Sequence, residues 1–147
     1  MRKMTDADLP QVLALENELF PASPWNEAEY RYELHENPFS NLYVVEEKGA
    51  VVGYIDYWFL YEKAQIANIG VAKHAQHRGI AQMMLKECVR KANEAGCETL
   101  SLEVRYNNLP AIRLYRNFGF IDAAMRRNYY ENGDDAILMV LPLGGME

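Results

Sequence analysis

The chain has 147 residues, 50% of them apolar and 24% charged, a balance that suits one globular domain over residues 1–147 and excludes a disordered or fibrous chain. A net charge of −6 opposes a phosphate backbone, so nucleic acid is not an expected partner, whereas a basic peptide or a polyamine is favoured. No apolar run approaches the ~20 residues of a membrane helix, and the start Met1-Arg2-Lys3-Met4-Thr5-Asp6 lacks the apolar core of a signal peptide; the expectation is a cytoplasmic protein with no membrane partner.

Apolar residues Leu9, Val12, Leu13 and Leu19 recur at helical spacing from Thr5 to Phe20, with Thr5 and Asp8 spaced as a capping box. Phe20-Pro21-Ala22-Ser23-Pro24-Trp25 breaks this helix, and Asn26 with Glu29 starts a second that ends before Asn37-Pro38. Leu42 to Val45 and Val51 to Leu60 read as strands joined through Glu47-Lys48-Gly49, and Ala64 to Val71 continues the antiparallel meander. The polar stretch Lys73 to Gly79 precedes a long helix with Ile80, Ala81, Met84, Leu85, Cys88, Val89 and Ala92 on one side, stopped by Gly96.

Thr99 to Val104 alternates as a strand, and Asn108 caps a short helix that tolerates Pro110 in its first turn and ends near Gly119. Phe120 to Arg127 and Ala136 to Leu141 return to strand character around Glu131-Asn132-Gly133-Asp134. The fold class is mixed α/β, with a mostly antiparallel sheet and helices on both faces. Cys88 and Cys97 form no C-x-x-C pair and read as buried thiols, and His35, His74 and His77 follow no zinc spacing, so no metal is expected.

Two segments bear on chemistry. Gln76-His77-Arg78-Gly79-Ile80-Ala81 lies between a strand and a helix start, where unpaired N–H groups and a glycine admit a pyrophosphate, although a glycine there also serves plain loop geometry. Glu103 is a carboxylate in an apolar strand that runs into the Asn107-Asn108 turn, placed to take a proton from an ammonium. Alternation puts Ser101, Glu103 and Arg105 on one face, so a solvated Glu beside an Arg is the alternative. Tyr115 and Tyr106 are equally readable as core aromatics.

Gln76-x-x-Gly79-x-Ala81 and the run Asn108 to Phe120, read as N-x-x-A-x-x-L-Y-x-x-x-G-F, resemble the signatures of the GNAT superfamily of acetyltransferases. Phe20-Pro21 with Pro24-Trp25, Leu102-Glu103-Val104-Arg105 and Arg126-Arg127-Asn128-Tyr129-Tyr130 resemble its bacterial ribosomal-protein-alanine N-acetyltransferases, the RimI type. The chain departs from the pattern at Asn107, Pro110 and Ala81.

The resemblance implies a GNAT fold with acetyl-CoA as co-substrate and a protein N-terminus, that of a ribosomal protein, as partner. It implies that Gln76, His77, Arg78, Gly79, Ile80 and Ala81 hold the pyrophosphate, that Ile69, Gly70 and Val71 pair with the pantetheine arm, and that Asn108 completes the cradle. Glu103 is then the general base, Tyr115 the general acid, and Phe20, Pro21, Trp25, Tyr129 and Tyr130 the walls of the peptide end. Acetylation of a small amine and a non-catalytic acyl-CoA sensor are the alternative readings, the sensor disfavoured by the presence of both Glu103 and Tyr115.

Overall fold

The helix boundaries fall where capping chemistry puts them. The structure, a computed structural model, describes residues 1–144, so the end of the expected 1–147 domain lies outside the described residues. Strand β1 (Arg2–Lys3) leads through a 3-10 turn at Asp6–Asp8 into helix α1 (Leu9–Leu19). Asp8 accepts the Thr5 main-chain N–H at 2.8 Å and both its oxygens accept from Arg2, which holds the Asp8 carboxyl below its usual range. Helix α2 (Glu27–His35) opens on a reciprocal box: Asn26 Oδ1 accepts the Glu29 N–H at 2.8 Å, and Glu29 Oε1 accepts the Asn26 N–H at 2.9 Å.

Strands β2 (Ser40–Glu47), β3 (Ala50–Leu60) and β4 (Lys63–Val71) follow, with the β2–β3 hairpin closed by Lys48 and Gly49, both at positive φ. Helix α3 (Ile80–Glu94) ends in a Schellman motif, in which the Gly96 N–H donates to Asn93 O at 3.1 Å and the Cys97 N–H to Ala92 O at 3.0 Å. Strand β5 (Thr99–Arg105), helix α4 (Leu109–Phe118) and strands β6 (Ile121–Arg126) and β7 (Ala136–Pro142) complete the chain.

The strands form one sheet in the order β1-β2-β3-β4-β5-β7-β6. The β1–β2, β2–β3, β5–β7 and β6–β7 pairs are antiparallel and the β4–β5 pair is parallel, so the fold is the mixed α/β, mostly antiparallel class expected. The last strand inserts between its two predecessors, which leaves β6 at the edge with every residue exposed and a register shift between Asp122 and Ala124.

Backbone proximity divides the chain into two compact units, Met1–Trp58 with Ala67–Cys88, and Phe59–Ile66 with the residues from Val89 onward. In the first unit Leu9, Val12 and Tyr30 of α1 and α2 share a core with Val44 and Tyr54. A Cβ on Gly53, one residue before Tyr54 and so on the other side of β3, would lie 3.1 Å from Ile80 Cγ2 and 3.4 Å from Met84 Cε. The first unit thus has helices on both faces of its strands. In the second unit Leu100, Leu102 and Val104 are buried on one side of β5, while Ser101, Glu103 and Arg105 are partly exposed on the other. Cys88 and Cys97 are buried and not joined in a disulfide. Among the described residues no helix is long and apolar enough to cross a membrane.

Candidate active site

In the first unit, the segment after β4 is shaped by its own side chains. The Gln76 amide donates to Val71 O at 3.0 Å, folding the loop back on the strand end, and Arg78 is clamped on Glu47 by two contacts of 2.6 and 2.7 Å. His77 and Gly79 both take positive φ, at 65° and 82°, a pair of left-handed residues that turns the chain sharply into α3. A Cβ on Gly79 would meet nothing within 4 Å, and the Met83 N–H donates to Gly79 O at 2.9 Å, so the first helical N–H groups open beside an uncrowded, exposed backbone. That geometry fits a diphosphate, with the positive end of the helix behind it. The side chains of Gln76 and Arg78 serve the loop and leave the cradle to the main chain.

Gly70 has a separate reason to be glycine. An added Cβ there would lie 2.6 Å from Cζ and Oη of Tyr54, so the Tyr54 ring passes directly under the backbone of Ile69–Val71. The parallel β4–β5 ladder covers Lys63 to Gln65, and β4 runs on through Ile66–Val71 beyond its last rung.

In the second unit, β5 presents Glu103 with a side chain only 11% exposed. Arg126 Nε donates to Glu103 Oε2 at 2.8 Å, and Gln65 Nε2 donates to Oε1 at 3.3 Å. Tyr129 lies close enough that its phenol is pushed up, first by burial and then by the Glu103 charge. Its ring meets that of Tyr130 edge to face at 5.0 Å, and the Arg105 guanidinium sits 3.9 Å above the Tyr130 ring while its Nη1 binds Asp134 at 2.6 Å. Burial raises the Tyr130 phenol to about 12 against the opposing pull of Arg105. Asn108 Oδ1 accepts the Ala111 N–H at 3.4 Å and starts α4, which brings Tyr115 to 7% exposure against Phe120. Burial, then Tyr130, pushes the Tyr115 phenol well above its ordinary value, so the hydroxyl keeps its proton.

The second unit therefore gathers Glu103, Tyr115, Tyr129 and Tyr130. Phe20, Pro21 and Trp25 belong to the first unit, on the α1–α2 connection, where Trp25 packs on Tyr30 at 5.2 Å. Sequence reasoning missed Gln65 and Arg126 as partners of Glu103. Both come from other strands, and only the order β4-β5-β7-β6 reveals them. It also missed Glu16, although its place on the Leu9, Val12, Glu16 stripe of α1 was visible. Among the described residues no three of His, Cys, Asp and Glu gather closely enough for a metal ion.

The acetyltransferase (GNAT) family matches residues 9–120, spanning α1 to the end of α4. The chain belongs to that family. As a GNAT protein it is an acyltransferase, and GNAT acetyltransferases use acetyl-CoA. A Bacillus subtilis relative is 35% identical over 140 residues, covering 95% of this chain and 92% of that one. The ribosomal protein bS18-alanine N-acetyltransferase of Escherichia coli is 32% identical over 139 residues, covering 92% of each. The crystal structure of the Escherichia coli ribosomal-protein-S18-alanine N-acetyltransferase superposes with a TM-score of 0.85 at 29% identity, covering 99% of this chain and 94% of that one.

Proposed function

We propose that the protein is an acetyl-CoA-dependent N-alpha-acetyltransferase of the cytoplasm that modifies a protein N-terminus, with the N-terminal alanine of a ribosomal protein as its acceptor. The observation that carries this reading is the largely buried Glu103 carboxylate, held by Arg126 and Gln65 beside Tyr129. The names of the Escherichia coli relatives supply the acceptor class.

Acetyl-CoA supplies the acyl group as a thioester. The main chain of Gln76 to Ala81 binds its diphosphate, and Ile69, Gly70 and Val71 align its arm by backbone pairing, as an added strand pairs with a sheet edge. Asn108 fixes the start of α4 and with it the position of Tyr115. An N-terminal ammonium has a pKa near 7.7–8.0, so Glu103 removes a loosely held proton, directly or through one water. The freed amine forms the new C–N bond as the C–S bond breaks, the Tyr115 hydroxyl gives its proton to the departing sulfur, and the second proton lost by the new amide nitrogen returns to the Tyr115 phenolate, directly or through water. Each proton transfer contributes about 10²–10⁴-fold, and alignment of amine and thioester supplies much of the rest. The resemblance assigns Phe20, Pro21, Trp25, Tyr129 and Tyr130 to the peptide end, and apolar walls of that kind suit a short extended peptide.

The test is thiol release from acetyl-CoA with three acceptors: a peptide beginning with alanine and bearing arginines shortly after, the same peptide with its α-amino group blocked, and spermidine. The free peptide is expected to give the highest kcat/KM and the blocked one no reaction, even with lysines present. A tenfold advantage for spermidine would replace this reading with that of a small-amine acetyltransferase.

A further inference from the structure

The buried face of α1 carries a carboxylate where its stripe calls for an apolar residue. Glu16 is 1% exposed and accepts four hydrogen bonds. Its Oε1 takes the Tyr54 hydroxyl at 2.7 Å, the Asn68 amide at 2.9 Å and the Tyr30 hydroxyl at 3.0 Å, while Oε2 takes the main-chain N–H of Trp25 at 2.9 Å. The directions agree with one another, since the Asn68 amide also donates to the Tyr30 hydroxyl at 3.1 Å and leaves that oxygen's proton for Glu16. Every one of these partners is a neutral donor. Burying a carboxylate in such company is costly unless its acceptor sites are filled, so the carboxylate dictates where its partners sit.

The two ends of this tie matter for the reaction. Trp25 belongs to the connection assigned to the acceptor side. Asn68 immediately precedes Ile69–Val71, the segment assigned to the acyl cofactor, and its Oδ1 accepts the Ile69 N–H at 3.1 Å. One carboxyl group therefore bridges the two segments, one oxygen to each.

We propose that Glu16 is a positioning residue for acyl transfer, which fixes the Trp25 segment against β4 and so sets affinity for the acceptor peptide. The inference rests on the acetyltransferase reading above. Gln at this position presents one acceptor oxygen where two are needed, so either Trp25 or the Asn68 side loses its partner.

The experiment measures acetyl transfer to the alanine-headed peptide with Glu16→Gln, Asn68→Ala and Tyr54→Phe, resolving KM for peptide, KM for acetyl-CoA and kcat. Glu16→Gln is expected to raise the peptide KM about tenfold with acetyl-CoA KM changed less than about threefold, and Asn68→Ala to raise the peptide KM about threefold or more. Tyr54→Phe removes a donor from the same oxygen but leaves the Trp25 and Asn68 hydrogen bonds of the tie in place, so it should lower Tm while the peptide KM stays within about twofold. A peptide KM unchanged in Glu16→Gln, or raised equally in Tyr54→Phe, would overturn the inference and leave the acetyltransferase reading standing. If Glu16→Gln does not fold, Asn68→Ala decides alone, with an unchanged peptide KM counting against. Wild type that acetylates no peptide overturns both.

Discussion

Gly70→Ala tests the packing under β4 by adding a single methyl group. The new methyl would sit 2.6 Å from Cζ and Oη of Tyr54 and 2.9 Å from Cε1, roughly 1 Å inside the 3.5–4.0 Å of a comfortable carbon contact. The ring is not free to swing away, because its hydroxyl is held 2.7 Å from the buried Glu16 carboxylate. Overpacking of this kind costs about 1–3 kcal/mol, and loss of a hydrogen bond to a charged group adds about 1.5–3 kcal/mol. Together these reach about 2.5–6 kcal/mol, a large share of the ~5–15 kcal/mol that holds a typical domain together. Urea unfolding followed by circular dichroism should show a lower midpoint at unchanged slope, and Tm should fall by on the order of 10 °C. Tyr54→Phe gives the cross-check: with the hydroxyl already gone, adding Gly70→Ala should cost less than the sum of the single changes. A Gly70→Ala protein within about 1 kcal/mol of wild type would refute the packing argument, and strict additivity would refute the link to Glu16.

Gly79→Glu should abolish the rise in melting temperature given by acetyl-CoA, while the unliganded protein loses only about 1 kcal/mol for a left-handed non-glycine residue; retained binding in calorimetry would remove the loop from the cofactor site. Glu103→Gln and Tyr115→Phe should each lower kcat by roughly 10²-fold with acetyl-CoA affinity nearly kept, and full activity of both at saturating peptide would make them packing residues. Asp56 is 1% exposed, and burial, then its contact with the Glu33 carboxyl, raises it to about 10. Its native form therefore holds a proton that the unfolded chain releases near pH 4, so this group makes stability fall as pH rises from about 4 toward about 10. Asp56→Asn should flatten that slope and stabilise the protein at pH 8 by at least about 1 kcal/mol; urea midpoints that fall with pH equally in both proteins would refute it.

What could be read from the sequence was local. The Asn26–Glu29 pair and the Asn108 cap are each written within a few residues, and the structure has both where the sequence placed them. Period-two alternation likewise put Glu103 on the partly exposed face of β5. What escaped depends on contacts far apart along the chain. Glu16 meets Tyr54 and Asn68 across 38 and 52 positions, and a polar residue on an apolar stripe looks like an exception until those donors are seen. The Arg126 partner of Glu103 required β7 to lie between β5 and β6, and nothing local in either strand distinguishes that order from a simple meander. The sequence places Gly70 in the segment that pairs with the pantetheine arm and gives no sign that Tyr54 beneath it also demands the missing side chain.

The outermost strand bears on how the protein behaves when concentrated. An edge such as β6, with every side chain exposed and Ile121 and Met125 among them, offers a template onto which another chain's strand can add. Two ion pairs stand guard over it: Asp122 is held by Arg116 at 2.6 Å and Arg126 by Glu103 at 2.8 Å, and the register shift at Asp122 interrupts the regular row of donors and acceptors. A visiting strand would have to desolvate those charges and straighten that kink before gaining its own hydrogen bonds. Edge-to-edge addition at β6 is disfavoured to that extent, since charges near a sheet edge resist the pairing that a flat apolar edge would invite.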